Sequence, residues 1–314
     1  MPERSFYSDR VAGAAPRTRE EVNASAWRGL VALIRQRVAD GSLAREFPKQ
    51  GCGDGPWITE TDEGAFYDML DALVPNLGQQ QAEPWFDSVR MSLSSDTTPP
   101  TPTTLDVVDF VGQRIAAPIR RPTGYHKFFD HYHLDFDVRA GQRRFQADVD
   151  MIFARNGIAF TLGENLRVQR LGPPEARPLL SDLAPDTGDA RLDGLLETAM
   201  TRFLSRHEDD RQDALEKLWD AFERLKTLEL GGDKRASATT LLNRAAPDSR
   251  LREHLDAEAS ALTRIGNSFH IRHSEHDQEE LPGPAAVDYL FIRLAALIAF
   301  LLRQTGRIHA SRPV

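Results

Sequence analysis

Cysteine is almost absent from this chain of 314 residues, where Cys52 is the single example. One cysteine excludes an internal disulfide and a cysteine-based zinc site, and it fits a reducing compartment. The amino-terminal residues contain no apolar segment of the kind found in a secretory signal. We therefore expect a cytoplasmic protein.

Long uncharged apolar runs are absent as well. The most apolar tract covers residues 285–302, and Asp288 and Arg293 interrupt it. The uncharged part, residues 294–302, is about half as long as a helix that crosses a bilayer. We expect a buried core helix here and no contact with a membrane.

Positive charge is in the minority, because 39 Lys and Arg face 47 Asp and Glu, for a formal net charge of −8. This balance argues against a broad phosphate-binding surface, so any contact with RNA has to depend on a local cluster of cations. The candidate cations for such a cluster are Arg264, Arg272 and Arg293. With 40% hydrophobic and 27% charged residues, the chain is typical of a soluble globular protein. Its length suggests two domains.

The first half of the chain mixes helix and strand patterns and predicts an α+β domain over residues 1–178. Thr18 and Glu21 form a capping box before an apolar helical stripe. Residues 133–138 alternate as a strand does, and a later helical stripe stops at Asn156 and Gly157. A β-hairpin follows, and the proline-rich segment 172–178 marks the domain boundary.

The second half shows only helical patterns and predicts an all-α antiparallel bundle over residues 179–314, because its connections are short. We predict five helices: 191–204, 210–228, 236–244, 249 to about 270, and 285–303.

The most informative segment for chemistry is residues 262–284, which holds three of the nine histidines. Continuing the apolar stripe of the fourth helix places Arg272 and His276 on the buried face, where an unpaired charge is costly. Such groups need a structural partner or a function. The candidate catalytic residues are Arg264, His270, Arg272, His273 and His276, with Asn267 and Glu275 as groups that orient RNA.

Arginine and histidine together suit RNA cleavage without a metal or other cofactor. Histidine can remove the proton of the ribose 2′-OH, and the planar guanidinium can hold the phosphate while charge develops on it. The alternative is a helix end at which these side chains cap carbonyl groups and pair with Glu275, Asp277 or Glu279.

The carboxy-terminal half resembles the HEPN family of helical bundles, whose ribonucleases carry an Arg followed four to six residues later by a His. Arg264 and His270 have this spacing, but Ile265 stands where the family usually has a polar residue. Arg272 is followed by the polar His273, and His276 is four positions on. We rank Arg272, His273 and His276 above the first pair.

A wider resemblance is to bacterial abortive-infection phage-defence proteins in which an AbiJ-type α+β domain precedes a HEPN-like bundle. The segments that carry it are FYSDR (6–10), APRTREEV (15–22), YHKFF (125–129), IFARNGIAF (152–160), ALEKLWDAFERLKT (214–227) and IRHSEH (271–276). The resemblance implies a sensor domain, with a phage-derived or nucleotide trigger, in front of an effector that cuts RNA. It also implies a homodimer.

A second polar cluster is predicted in the first half, where His131, His133 and Asp135 alternate by two and share one face of a strand. Imidazole and carboxylate can bind zinc or another divalent ion, with His126 as a further ligand. Alternatively, these side chains lie on the solvated side of the strand and form a structural or ligand-contacting polar face. We prefer the second alternative and assign no metal. Tyr125 belongs to the same polar cluster. Cys52 has no partnering histidine nearby in the sequence.

Three functions remain open from the sequence. The first is a metal-independent endoribonuclease of an anti-phage system. The second is a non-catalytic HEPN-like module that senses or dimerises, and the third is a metal-dependent enzyme built on His126, His131 and His133. The first is the preferred hypothesis.

Overall fold

A computed structural model of the chain describes residues 6–53, 55–75, 77, 93, 97–128, 130–174, 176–183, 186–207, 209–269, 271 and 281–308. The chain divides into two compact units, Met1–Leu171 and Gly172–Val314. The boundary predicted from the sequence, after residue 178, lies seven residues later than this division. Ala176 precedes the predicted boundary but packs in the core of the second unit. The coarse class is α+β followed by a helical region.

Helices and short antiparallel strand pairs alternate in the first unit. Its helices are α1 Tyr7–Ala12, α2 Ala24–Ala39, α3 Glu63–Leu73, α4 Thr101–Arg114 and α5 Val138–Arg155. Its strands are β1 Pro48–Gln50, β2 Ile58–Thr61, β3 Ala117–His126, β4 His131–Asp137, β5 Phe160–Leu162 and β6 Val168–Arg170. The strands pair as three separate hairpins, β1 with β2, β3 with β4, and β5 with β6.

The core of the first unit lies between α2 and α5. Trp27 and Ile34 on α2, and Phe145 and Phe153 on α5, are completely buried. The predicted capping box is wrong, because the side chain of Asn23 accepts the hydrogen bond from the N–H of Ala26 and begins the helix. Thr18 is used differently: the backbone N–H groups of Thr18 and Arg19 donate to the carbonyl of Gly157, in the turn after α5. The sequence pattern could not reveal this long-range contact.

The regular elements that the structure describes in the second unit are all helices. Its helices are α6 Arg177–Asp182, α7 Ala190–Phe203, α8 Asp209–Leu225, α9 Lys234–Ala245, α10 Ser249–Ser268 and α11 Pro284–Gln304. Five of them match the predicted helices to within a few residues, and α6 was not predicted. The rings of Phe203 and Phe291 stack in the core with their centroids 3.9 Å apart.

Helix α11 is the one helix in the described part of the chain that is long and apolar enough to cross a membrane. Phe291, Leu294 and Ile298 on this helix are completely buried in the core of the second unit. Burial of this kind is typical of a core helix in a soluble protein. The prediction of a core helix is confirmed.

Candidate metal centre

One cysteine and three histidines converge in the first unit. The side chains of Cys52, His126, His131 and His133 each present one potential ligand atom, and these four atoms all lie within 4.8 Å of one another. The sulfur of Cys52 is 3.4 Å from Nδ1 of His126 and 3.3 Å from Nε2 of His133. Three nitrogen atoms and one sulfur atom therefore lie close together, as the ligands of one metal ion do.

The hairpin of β3 and β4 positions the three histidines. His126 and His131 are directly opposite each other in the strand register, and His133 lies two residues further along the same face of β4. The hairpin is irregular between Arg120 and Tyr125. Gly124 lies in this irregular stretch, where a Cβ atom would be 3.1 Å from the Cβ of His133. Glycine at this position therefore leaves space for His133.

Cys52 reaches the cluster from a different hairpin. It lies in the non-strand segment after β1, and β1 and β2 form no strand pair with β3 or β4. Strand β2 packs against β4. A bond between Cys52 and a metal held by the histidines would therefore link two hairpins that are not hydrogen-bonded to each other as strands.

The two distances from the sulfur of Cys52 fit a tetrahedral centre. Zinc bonds of about 2.3 Å to sulfur and 2.0–2.1 Å to nitrogen, at tetrahedral angles, separate the sulfur and nitrogen ligands by about 3.6 Å. The two distances from the sulfur of Cys52 are within 0.3 Å of that value. The same distances also suit a hydrogen bond between a thiol and an imidazole. A single such bond needs only one histidine, however, and here three converge.

Trp57 stacks on His133, and Arg121 lies against the ring of Trp57. The indole of Trp57 lies on the imidazole of His133 with ring centroids 4.9 Å apart and planes at 14°. The guanidinium of Arg121 lies 5.0 Å from the Trp57 ring and donates two hydrogen bonds, of 2.8 and 2.6 Å, to Asp135. The hydrogen bond from Arg121 lowers the pKa of Asp135, and the same bond raises the pKa of the guanidinium. The stack restricts the orientation of one ligand ring.

Three expectations about this region are corrected. His133 is only 6% exposed, so it does not lie on a solvated face, because the loop that carries Cys52 and Trp57 covers it. Asp135 pairs with Arg121 and does not join the four ligand atoms. The hydroxyl of Tyr125 donates to the carboxylate of Asp130, which raises the pKa of Tyr125. Tyr125 therefore supports the hairpin turn.

The expectation that Cys52 has no partnering histidine is also wrong. Cys52 precedes His126 by 74 residues and His133 by 81, so spacing along the chain could not reveal the contact. The sequence signal for this site was limited to three histidines within residues 126–133 and one cysteine elsewhere in the same predicted domain. Trp57 was missed for the same reason.

The predicted ribonuclease residues are placed only in part. Arg264 and Asn267 lie in the last two turns of α10, and both are exposed. The helix ends at Ser268 and Phe269 is extended, whereas we predicted a helix to about residue 270. The other predicted residues lie outside the described part of the chain: His270, Arg272, His273, Glu275 and His276.

A groove of about 390 Å³ lies beside Arg264 in the second unit. Phe222, Leu241 and Leu242 are among its apolar lining residues, and Lys226 and Arg264 are its cations. Within the described residues, the side chain of Arg264 has no ion pair or hydrogen bond. Arg293, another cation expected to serve RNA, is instead held by Glu258 through two hydrogen bonds of 2.7 and 2.8 Å.

Comparison with known proteins found no match for this chain among family models, curated proteins or solved structures.

Proposed function

We propose that the first unit is a zinc-binding domain in which Cys52, His126, His131 and His133 hold one Zn²⁺. The observation that carries this proposal is the convergence of four ligand atoms within 4.8 Å. Imidazole and thiolate are both good ligands for zinc, and four protein ligands complete its tetrahedral coordination.

The bound zinc joins a short hairpin, β1 with β2, to the longer hairpin of β3 and β4. Strands β1 and β2 have three and four residues, and an isolated two-stranded hairpin of this size is marginally stable in water. Cys52 on one hairpin and the three histidines on the other become ligands of the same ion. Zinc binding therefore contributes to the stability of the first unit through linkage to folding.

Elemental analysis of the untagged full-length protein tests the proposal. The protein is treated with a chelator, reconstituted with Zn²⁺ and freed of unbound metal. We expect one zinc per chain in the wild-type protein and none in the double variant His126→Ala/His133→Ala.

His254→Ala is the matched control, because this histidine is exposed on α10 in the second unit. We expect it to keep one zinc per chain. A wild-type protein that binds no zinc, or a double variant that binds as much as the wild type, would contradict the proposal.

A second candidate function, in the helical unit, is contact with RNA. It is supported by the exposed Arg264, which lines the groove with Lys226 and is unpaired among the described residues. A guanidinium in this state is available for a phosphate group. The pairing of Arg293 with Glu258 reduces the set of cations proposed for this role to Arg264 and Arg272.

The fuller form of this candidate is a HEPN-like endoribonuclease of an anti-phage system. In it, Arg272 holds the scissile phosphate, and His273 or His276 moves the proton without a metal. The first unit then senses a phage-derived or nucleotide trigger, and the protein acts as a cytoplasmic homodimer. The alternative is a HEPN-like module that dimerises or senses and does not cleave.

Incubation of the full-length protein with transfer RNA in excess EDTA separates these possibilities from the zinc proposal. The ribonuclease hypothesis predicts cleavage that persists without metal and is lost in Arg272→Ala. We expect Arg264→Ala to weaken RNA binding and Arg250→Ala, an exposed arginine at the other end of α10, to leave it unchanged. RNA binding without cleavage supports the non-catalytic module. Equal cleavage by wild type and Arg272→Ala contradicts the catalytic assignment.

A further inference from the structure

The four ligands of the proposed zinc site are held in two different ways. His126, His131 and His133 lie within eight residues on paired strands, and His126 faces His131 directly in the register. Cys52 lies outside any strand, in a segment where glycines flank it on both sides. The three nitrogen ligands are fixed by one hairpin, whereas the sulfur depends on the position of a loop.

Contacts that do not involve Cys52 also hold the hairpin of β1 and β2 in place. Lys49 and Glu60 form an ion pair of 2.7 Å across the two strands. The N–H of Asp62 donates to the carbonyl of Phe47, whose side chain is buried in the core. These contacts would remain when the loop that carries Cys52 moves and takes the sulfur away from the histidines.

A catalytic zinc site usually has three protein ligands and an exchangeable water, and three histidines are one such ligand set. A closed structural site more often has several cysteines among its four ligands. Once the thiolate of Cys52 leaves, the three remaining imidazoles match the ligand set of a catalytic zinc site.

We propose that Cys52 is an exchangeable ligand and that its departure opens the zinc to water or a small anion; this inference depends on the proposed zinc site. The zinc–sulfur bond breaks and a zinc–oxygen bond to water forms. The thiolate takes up the proton that this water loses, so that charge and protons balance. A hydroxide on zinc held by three histidines is a nucleophile at neutral pH.

Cobalt substitution tests the exchange in the full-length protein. Wild-type protein with Co²⁺ should show a charge-transfer absorption band from the thiolate to the metal. The Cys52→Ala variant should retain one Co²⁺ per chain, lack this band and change its visible spectrum when azide is added, because azide takes the open position. His131→Ala should lose the metal.

Alkylation with N-ethylmaleimide provides the same test on the native sequence. We expect the zinc-loaded wild type to be modified at Cys52 and to keep its zinc. Loss of the metal in Cys52→Ala, or zinc release in step with alkylation, would overturn the inference and leave the four-ligand zinc site in place. Protection of Cys52 from the reagent would also overturn it. A wild-type protein that binds neither metal instead refutes the underlying zinc proposal.

Discussion

The stack of Trp57 on His133 makes a quantitative prediction about zinc affinity. The ring centroids are 4.9 Å apart and the rings are nearly parallel, and the guanidinium of Arg121 lies 5.0 Å from the indole. Replacing Trp57 by Ala removes the surface against which the imidazole of His133 packs. The ring then loses part of its fixed orientation, and ordering it becomes a cost of metal binding.

The size of the effect follows from the ring contact. An aromatic pair in this geometry contributes about 0.5–1.5 kcal/mol beyond its buried area. If this contribution is lost from the metal-bound state, the dissociation constant for Zn²⁺ rises about 2- to 12-fold, since 1.4 kcal/mol corresponds to a factor of ten. Trp57→Phe keeps a ring on His133 and should stay close to the wild-type value.

Competition with a chromophoric zinc chelator measures both variants against the wild type. The expected order of affinity is wild type, then Trp57→Phe, then Trp57→Ala, with one zinc per chain in all three. Equal affinity in wild type and Trp57→Ala would refute the positioning role of the stack. Complete loss of zinc in Trp57→Phe would show that the indole has a role other than packing on the ring.

Two predictions concern the helical unit. Gly266→Ala places a Cβ atom 2.3 Å from Nε1 of Trp219 and should lower the free energy of unfolding by about 1–3 kcal/mol in urea titrations, whereas Gly194→Ala, which meets no atom within 4 Å, should not destabilise. Burial alone would raise the pKa of Glu229, but hydrogen bonds from Arg244 and Arg307 outweigh it and lower the pKa below its ordinary 4.5. Glu229→Gln should therefore cost about 1–3 kcal/mol at pH 7, and the difference from wild type should narrow as the pH falls through the lowered pKa, because the wild-type carboxylate loses its charge there. Equal free energies of unfolding of Gly266→Ala and Gly194→Ala would contradict the first assignment. A difference in unfolding free energy between Glu229→Gln and the wild type that does not change with pH would contradict the second.

Local patterns were sufficient for most helices of this protein. The apolar stripe of α8, with Trp219 and Phe222 buried on one face, predicts both its position and its place in the core. The Asn156-Gly157 pair also predicted the end of α5. The structure agrees, since Gly157 adopts a φ of +68° that favours glycine. These features depend on residues that are close together in the sequence.

The candidate site depends on contacts between distant residues, and these were missed. Three histidines close together in sequence were visible, but their convergence with Cys52 requires the packing of two separate hairpins. The pairing of Asp135 with Arg121 likewise depends on the register of β3 and β4. A composition argument based on a single cysteine could not detect a ligand set in which that cysteine joins three histidines.

Zinc K-edge X-ray absorption on the reconstituted full-length protein tests the central claim most directly. The proposed site predicts one sulfur at about 2.3 Å and three nitrogen ligands at about 2.0–2.1 Å from the zinc. His126→Ala/His133→Ala should give no bound zinc to measure. A wild-type spectrum without the sulfur shell, or a protein that retains no zinc, would contradict the account.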